Sequence, residues 1–367
     1  MAKIHITLVG GQAAPVYLGI VDANPDKVIL VYSNQTEDEA NRIYSVINVA
    51  CELKKFEPVD LNKIEKNISE LVKTLKADDF ISINIGGGTK PWSILFYEHF
   101  KTFDNTTIFY IDQNNVVWDL KTYTHHAVDF DMDVQFRLYG NALTDYKKFT
   151  DYTDEDKKCC AEIRKLYGFN SYDFQYVTQK LLLFPRTETQ TSEGGSTFNW
   201  IERDKKMHFA LVNKHGRKMV KTLECPNLSA LIYNSGWFEY EMAAILSQWK
   251  YAKEIRMNCV FPTSTGSPKN EIDIIINTGT KLLFVECKTK IFNETDIDKF
   301  ASAVKVYGGL GSKALFVTDV PMSDKAMEKC KDHGVMTFSM ETNVFNFPLD
   351  KMIFAMLESE LFNINAK

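Results

Sequence analysis

Charge sits inside apolar sequence in the stretch from Asn270 to Lys290, NEIDIIINTGTKLLFVECKTK. The runs Ile272 to Ile276 and Lys281 to Val285 are short and rich in β-branched and apolar residues, and Asn277-Thr278-Gly279-Thr280 between them is a reverse-turn signal, so the sequence predicts a hairpin. Unpaired charge in such strands is costly, yet Asp273 interrupts the first and Glu286 and Lys288 close the second. Residues two apart on a strand share a face, which sets Glu286 beside Lys288, with Asp273 opposite or diagonal on the neighbouring strand. Two carboxylates converging at a strand end make an all-oxygen site suited to Mg²⁺ or Mn²⁺. A lysine beside them can steady a pentavalent phosphate or orient an attacking water. The competing reading is a set of ion pairs at the end of a half-exposed hairpin.

Those residues need a rigid frame. Ahead of the hairpin, Ser235-Gly236-Trp237-Phe238-Glu239-Tyr240-Glu241 opens an amphipathic helix expected to run to about Lys250, with Phe238, Met242, Ile245, Leu246 and Trp249 on its inner stripe. Beyond the hairpin come a helix from Glu294 to Tyr307 stopped by Gly308-Gly309, a strand Ala314 to Thr318, a helix from Ser323 to about Asp332 and a strand Val335 to Phe338. An aspartate on one strand, a turn, then an apolar strand ending Glu-x-Lys resembles the PD-(D/E)xK core of restriction-endonuclease-like nucleases. The resemblance implies metal-dependent phosphodiester hydrolysis. Asp273 and Glu286 would ligate the metal, Lys288 would act on the water, and the first core helix would add an acidic residue, Glu239 or in reserve Glu241. The carbonyl of Cys287 is a further candidate ligand.

At 367 residues the chain is long enough for two domains, and 45% apolar with 25% charged residues is a soluble globular composition. No apolar run approaches the ~20 residues that span a bilayer, and MAKIHITLVGG leads straight into a strand, so a cytoplasmic protein is expected. Seven scattered cysteines, without a paired CxxC, read as reduced thiols. The net charge of −5 confines any nucleic-acid groove to a local patch.

The first 145 residues alternate strand and helix, which predicts a parallel sheet of the Rossmann type. Strands are expected at Ile4 to Val9, Lys27 to Tyr32, Phe56 to Val59, Phe80 to Ile85 and Thr107 to Ile111. Helices are expected from the acidic start Thr36 to Glu39 on to about Leu53, at Asn62 to Lys76 and at Trp92 to Phe100. Ligands of such sheets bind beyond the carboxyl ends of the strands. There lie Gly10 to Pro15 (with Gln12, Ala13, Ala14 and Pro15), the corner Ser33-Asn34, and Gly86-Gly87-Gly88-Thr89-Lys90-Pro91. The last lets backbone N–H groups of Gly87, Gly88, Thr89 and Lys90 approach a phosphate at a helix start, and its spacing fits neither a dinucleotide fingerprint nor a Walker A loop.

Asn84-Ile85-Gly86-Gly87-Gly88-Thr89-Lys90 resembles the strand-four signature Asn-x-(Thr/Ser)-Gly-Gly-Thr-Lys of the CRISPR-associated Rossmann fold (CARF) domain, with Gly86 where many members carry threonine. Joined to a PD-(D/E)xK core, the chain resembles the single-chain CARF nucleases of type III CRISPR systems. That family implies antiviral defence, activation by a cyclic oligoadenylate, most often cyclic tetraadenylate, bound across the two-fold axis of a homodimer, and metal-dependent cleavage of single-stranded DNA or RNA. Two other readings stay open: a nucleotide-sensing regulator with a silent C-terminal domain, and an unregulated DNA endonuclease.

The expected class is therefore α/β. It has a CARF sensor over 1–145, a helical connector and loop over 146–196 and a restriction-endonuclease-like α/β nuclease over 197–367. The connector holds helices at Cys160 to Tyr167 and Phe174 to Leu183, and its loop is Arg186 to Ser196. Lys214, His215, Arg217, Lys218 and Lys221 could follow a nucleic-acid backbone or be a solvated hairpin edge. His125 and His126 beside Asp129, Asp131 and Asp133 read as charged loop, and His333 as a surface histidine.

Overall fold

The computed structural model describes residues 1–129, 131–181, 189–202, 205–262, 268–291, 293–309, 311–341 and 348–364. The first sheet contains β1 (Lys3–Leu8), β2 (Lys27–Tyr32), β3 (Ala50–Lys55), β4 (Phe80–Asn84), β5 (Thr106–Ile111), β6 (Val116–Asp119) and β7 (His125–Ala127). Their order is β3-β2-β1-β4-β5-β6-β7, parallel through β5 and antiparallel beyond it. On one face lie α1 (Ala13–Ala23), α2 (Glu37–Val46) and, after β7, α5 (Met132–Leu138); on the other lie α3 (Leu61–Val72) and α4 (Lys90–Phe100). This is the doubly wound arrangement, with its switch point between β1 and β4. The α3 start is capped by Asp60, and that of α4 by Thr89 with Pro91 in the first turn.

Some expected boundaries shift: the helix expected at Asn62 to Lys76 ends at Val72, and the one expected to run to about Lys250 ends at Leu246. The second helix stops at Val46 rather than running to Leu53, and the third strand is Ala50–Lys55 rather than Phe56 to Val59. Ile47, Val49, Cys51 and Leu53 alternate with period two, the pattern of an edge strand, and they pack together beneath α1 and α2.

The second large sheet is mixed, ordered β17-β16-β15-β14-β13-β8. Its members are β8 (Asp145–Lys148), β13 (Glu254–Pro262), β14 (Pro268–Asn277), β15 (Leu282–Lys288), β16 (Lys313–Thr318) and β17 (Val335–Ser339). The expected hairpin is β14–β15, antiparallel with Ile274 opposite Val285, and β16 and β17 continue in parallel from β15. A small antiparallel sheet, β9 (Gln190–Thr191), β10 (Thr197–Glu202), β11 (Lys206–Val212) and β12 (Lys218–Glu224), packs with α6 (Asp154–Phe169), α8 (Leu228–Ile232), α9 (Gly236–Leu246) and α12 (Leu349–Phe362) on one face of the mixed sheet. The helix α7 (Ser171–Leu181) brings Phe174 to the same core. The other face meets α10 (Thr295–Tyr307), α11 (Asp324–Asp332) and residues of the first domain, among them Phe109, Ile111, Val117 and Phe136. The two halves thus share one apolar core. Leu182 and Leu183 of the expected connector helix and Arg186 to Glu188 of the expected loop lie outside the described residues.

Candidate active site and sensor loops

Alternation along β15 turns Leu283, Val285 and Cys287 into the core beneath α9, so Glu286 and Lys288 share the opposite face. Lys288 Nζ stands 2.7 Å from Glu286 Oε1 and 3.9 Å from Asp273 Oδ2. Asp273, 8% exposed, accepts the Cys287 backbone N–H at 2.7 Å on the same Oδ2. The Cys287 thiol is buried, which pushes its pKa far up, so only its backbone can face a ligand.

Glu239, on the first turn of α9 and 6% exposed, joins Asp273, Glu286 and Lys288 in a cleft of about 680 Å³ that Ser229, Tyr233, Asn258 and Glu271 also line. Glu241 turns elsewhere: it faces Arg164 at 3.5 Å, and Arg164 also pairs with Asp319 at 2.5 Å. The two helix carboxylates are thereby told apart.

The electrostatics follow from crowding. Burial, then the neighbouring Asp273, pushes Glu286 up to about 8, and the same two causes raise Glu239 well above the usual carboxylate range. Burial also raises Asp273, against the opposing pull of Lys288 and the Cys287 N–H. Burial disfavours the ammonium of Lys288, but Asp273 and Glu286 outweigh it and leave its pKa above normal. Three buried carboxyls therefore face one ammonium, a donor set and charge balance that suit a divalent cation. As they stand, no three His, Cys, Asp or Glu side chains among the described residues form a ready metal-ligating group.

At the switch point the loops after β1 and β4 lie against each other. A Cβ on Gly87 would collide with the Leu8 carbonyl oxygen, and one on Gly88, where φ is +70°, would come within 2.5 Å of the Trp92 ring. Asn84 binds both loops, donating to the Pro15 carbonyl at 3.1 Å and accepting from the Gly86 N–H at 2.9 Å. Thr89 is occupied in capping α4 and in donating to the Pro58 carbonyl at 2.8 Å. Gln12, Asn34, Gly88 and Lys90 are exposed around this rim, with Gly87 and Pro15 half-buried. Ala13, Ala14 and Ser33 are turned inward, Ser33 into its own capping box, and offer a ligand only backbone.

The remaining expected polar residues are dispersed. His126 pairs with Asp22, His125 stacks on Trp118, Asp129 pairs with Lys253, Asp131 caps α5, Asp133 pairs with Arg256, and His333 meets Asp298. Lys221 pairs with Glu162, while Lys214, His215, Arg217 and Lys218 surround the β11–β12 turn. Sequence reasoning missed Asn258, because it did not place β13, and passed over Glu271 of β14, one strand position outside the apolar run that framed Asp273. The alternating Glu254–Pro262 run was the available signal.

No helix among the described residues is long and apolar enough to cross a membrane. No curated protein matches the chain. Among solved structures, Can2 from Sulfobacillus thermosulfidooxidans, in complex with cyclic tetra-adenylate, aligns over 98% of this chain and 99% of its own at 16% identity and a TM-score of 0.66. Protein VC1899 from Vibrio cholerae aligns over 98% of both chains at 14% identity and a TM-score of 0.75. A type III CRISPR defence DNA nuclease activated by cyclic oligoadenylate aligns over 97% of this chain but 52% of its own, at 16% identity and a TM-score of 0.62. At such identities the likeness is one of fold. Residues 4–139 match the family model described as the Card1 CARF domain, which is less than half of the chain and assigns its N-terminal sheet to the CARF domain.

Proposed function

We propose that the chain is a metal-dependent nuclease of antiviral CRISPR defence, switched on by a cyclic oligoadenylate, with cyclic tetraadenylate the first choice, and cutting single-stranded DNA or RNA. The observation that carries the reading is the cleft in which Glu239, Asp273 and Glu286 gather around Lys288. The CARF match and the fold shared with a cyclic tetra-adenylate complex and a CRISPR nuclease support the sensing half.

Asp273, Glu286 and Glu239, with the Cys287 carbonyl, would hold Mg²⁺ or Mn²⁺, which supplies Lewis acidity toward a phosphodiester. Lys288, an ammonium at neutral pH, stabilises negative charge developing on the phosphate and orients the water that attacks it. Asp273 is itself fixed by the Cys287 N–H, so the rim of β15 sets where it points. On the sensor, backbone amides of Gly87 to Lys90 take phosphates, and Gln12, Ala13, Ala14, Pro15, Ser33 and Asn34 border ribose and base. A cyclic tetranucleotide can itself be two-fold symmetric, which fits an isologous homodimer presenting two copies of this rim. On this reading the chain divides into a sensor (1–145), a connector (146–196) and a nuclease (197–367). The strand β8 and the helices α6 and α7 pack on the nuclease sheet and work as part of it.

One assay tests this: cleavage of single-stranded DNA and RNA with Mn²⁺ or Mg²⁺, with and without cyclic tetraadenylate, by wild type and Glu286→Ala. Cleavage that ignores the activator would remove the sensor reading, and cleavage that survives in Glu286→Ala would remove the site.

A further inference from the structure

The strand β13 changes sides in its middle. Ile255 and Met257 belong to the core beneath α9, whereas Cys259 and Phe261, which unbroken alternation would put with them, belong to the opposite core. The neighbouring strand does the same: Ile274 and Ile276 lie on the α9 side and Ile272 on the other. The register is continuous across the switch, with Met257 opposite Ile274 and Cys259 opposite Ile272, so the two residues at the turnover, Asn258 and Asp273, face each other. Asn258 has φ of 51°, the left-handed region that asparagine tolerates better than most residues with a side chain. A left-handed residue inside a ladder re-aims its side chain. Here the Asn258 amide is brought to 2.9 Å from Glu239 Oε2 and 3.5 Å from Glu271 Oε1.

We propose that Asn258 is a positioning residue of the cleft: its left-handed backbone turns a neutral donor onto Glu239 and holds that carboxylate toward Asp273 and Glu286 for a shared divalent cation. The inference rests on the metal-dependent reading of this cleft. A neutral amide suits the role because a lysine or arginine there would compete with the cation, while an apolar side chain would leave a buried Glu239 oxygen without a donor. Such indirect contacts orient a ligand before the ion arrives, and their loss typically costs about 10-fold or more in metal affinity.

The test is Mn²⁺ binding to the full chain, followed by calorimetry and by the electron paramagnetic signal of free Mn²⁺, for wild type, Glu286→Gln, Asn258→Gly and Asn258→Ala. Glycine keeps the left-handed backbone and loses only the donor to Glu239, so Asn258→Gly should melt above Asn258→Ala and bind Mn²⁺ about 10-fold more weakly than wild type. Its cleavage defect should shrink as Mn²⁺ is raised. Asn258→Ala should show the same weakening together with a lower melting temperature. Wild-type Mn²⁺ affinity in Asn258→Gly overturns the inference while leaving the cleft reading standing. Absence of Mn²⁺ binding by wild type, or binding undiminished in Glu286→Gln, overturns the cleft reading and the inference with it.

Discussion

The side-chain amide of Asn115 donates to the backbone carbonyl of Thr280 at 2.8 Å, tying the turn after β5 of the CARF domain to the tip of the hairpin that carries Asp273 and Glu286. Beside this bond a cavity of about 180 Å³ is bordered by Gln12 and Pro15 from the β1 loop and by Lys281 from the hairpin. Lys253 and Asp129 add an ion pair at 2.6 Å across the same junction. A ligand that moves the β1 loop therefore acts next to one end of two strands whose other parts hold the acidic cleft.

Asn115→Gly, which keeps the left-handed backbone at φ of 58°, should bind cyclic tetraadenylate as wild type does but respond to it less. One hydrogen bond is worth about 1 kcal/mol, so the activator-induced gain in cleavage should fall roughly 5-fold. Titrating activator by calorimetry and cleavage in parallel separates the two. An unchanged gain would mean that this contact carries no signal.

Glu286 gives a pH signature. Its folded pKa of about 8 lies above the ordinary carboxylate value, so between the two the folded protein binds more protons than the unfolded chain and stability falls as pH rises. Glu286→Gln removes that slope. Without metal, the melting temperature of wild type should drop relative to the variant between about pH 5 and pH 8. With saturating Mn²⁺ at pH 8 wild type should gain more than the variant. Parallel melting curves for the two proteins across this range would contradict the buried, crowded carboxyl.

These residues could be read from the chain because their signal was local. Asp273, Glu286 and Lys288 stand out against apolar strands, and period two alone puts Glu286 beside Lys288. The glycine run after β4 was equally plain, since only glycine permits the loop's approach to Leu8. The choice between Glu239 and Glu241 was not local: it depends on which side of α9 meets the sheet edge and which meets Arg164 of α6. The strand β13 was hidden because a turn-forming asparagine sits in its middle, and its meaning appears only once Asp273 is seen across from it. The third strand of the sensor was lost to the helix before it, since Val46 and Ile47 extend an apolar run over the true boundary.

Lys288 should behave as a fixed charge rather than as a base. Asp273 and Glu286 keep it protonated despite burial, so no activity step near neutral pH should belong to it. Lys288→Met should lower cleavage by about 100-fold or more, the size usual for losing one preorganised donor to developing charge. Mn²⁺ affinity should not weaken, because the variant removes a cation from among the carboxyls. Calorimetry with Mn²⁺ alongside the cleavage assay checks both, and a loss of metal binding equal to the loss of cleavage would show that Lys288 supports the carboxyl geometry instead.

At the sensor rim, Lys90 and Gly87 should separate charge from shape. Lys90 is exposed at the start of α4, so Lys90→Ala should leave folding and Mn²⁺ affinity alone and weaken cyclic tetraadenylate by about 10-fold, as expected for one charge-assisted phosphate contact. Gly87→Ala puts a methyl group against the Leu8 carbonyl, so the loop must move. Activator binding should then fall further than in Lys90→Ala, with a destabilisation of about 1–3 kcal/mol as is usual for overpacking. Melting curves and activator calorimetry on both variants distinguish the two effects. Unaltered tetraadenylate affinity in both would mean that the activator binds away from this loop.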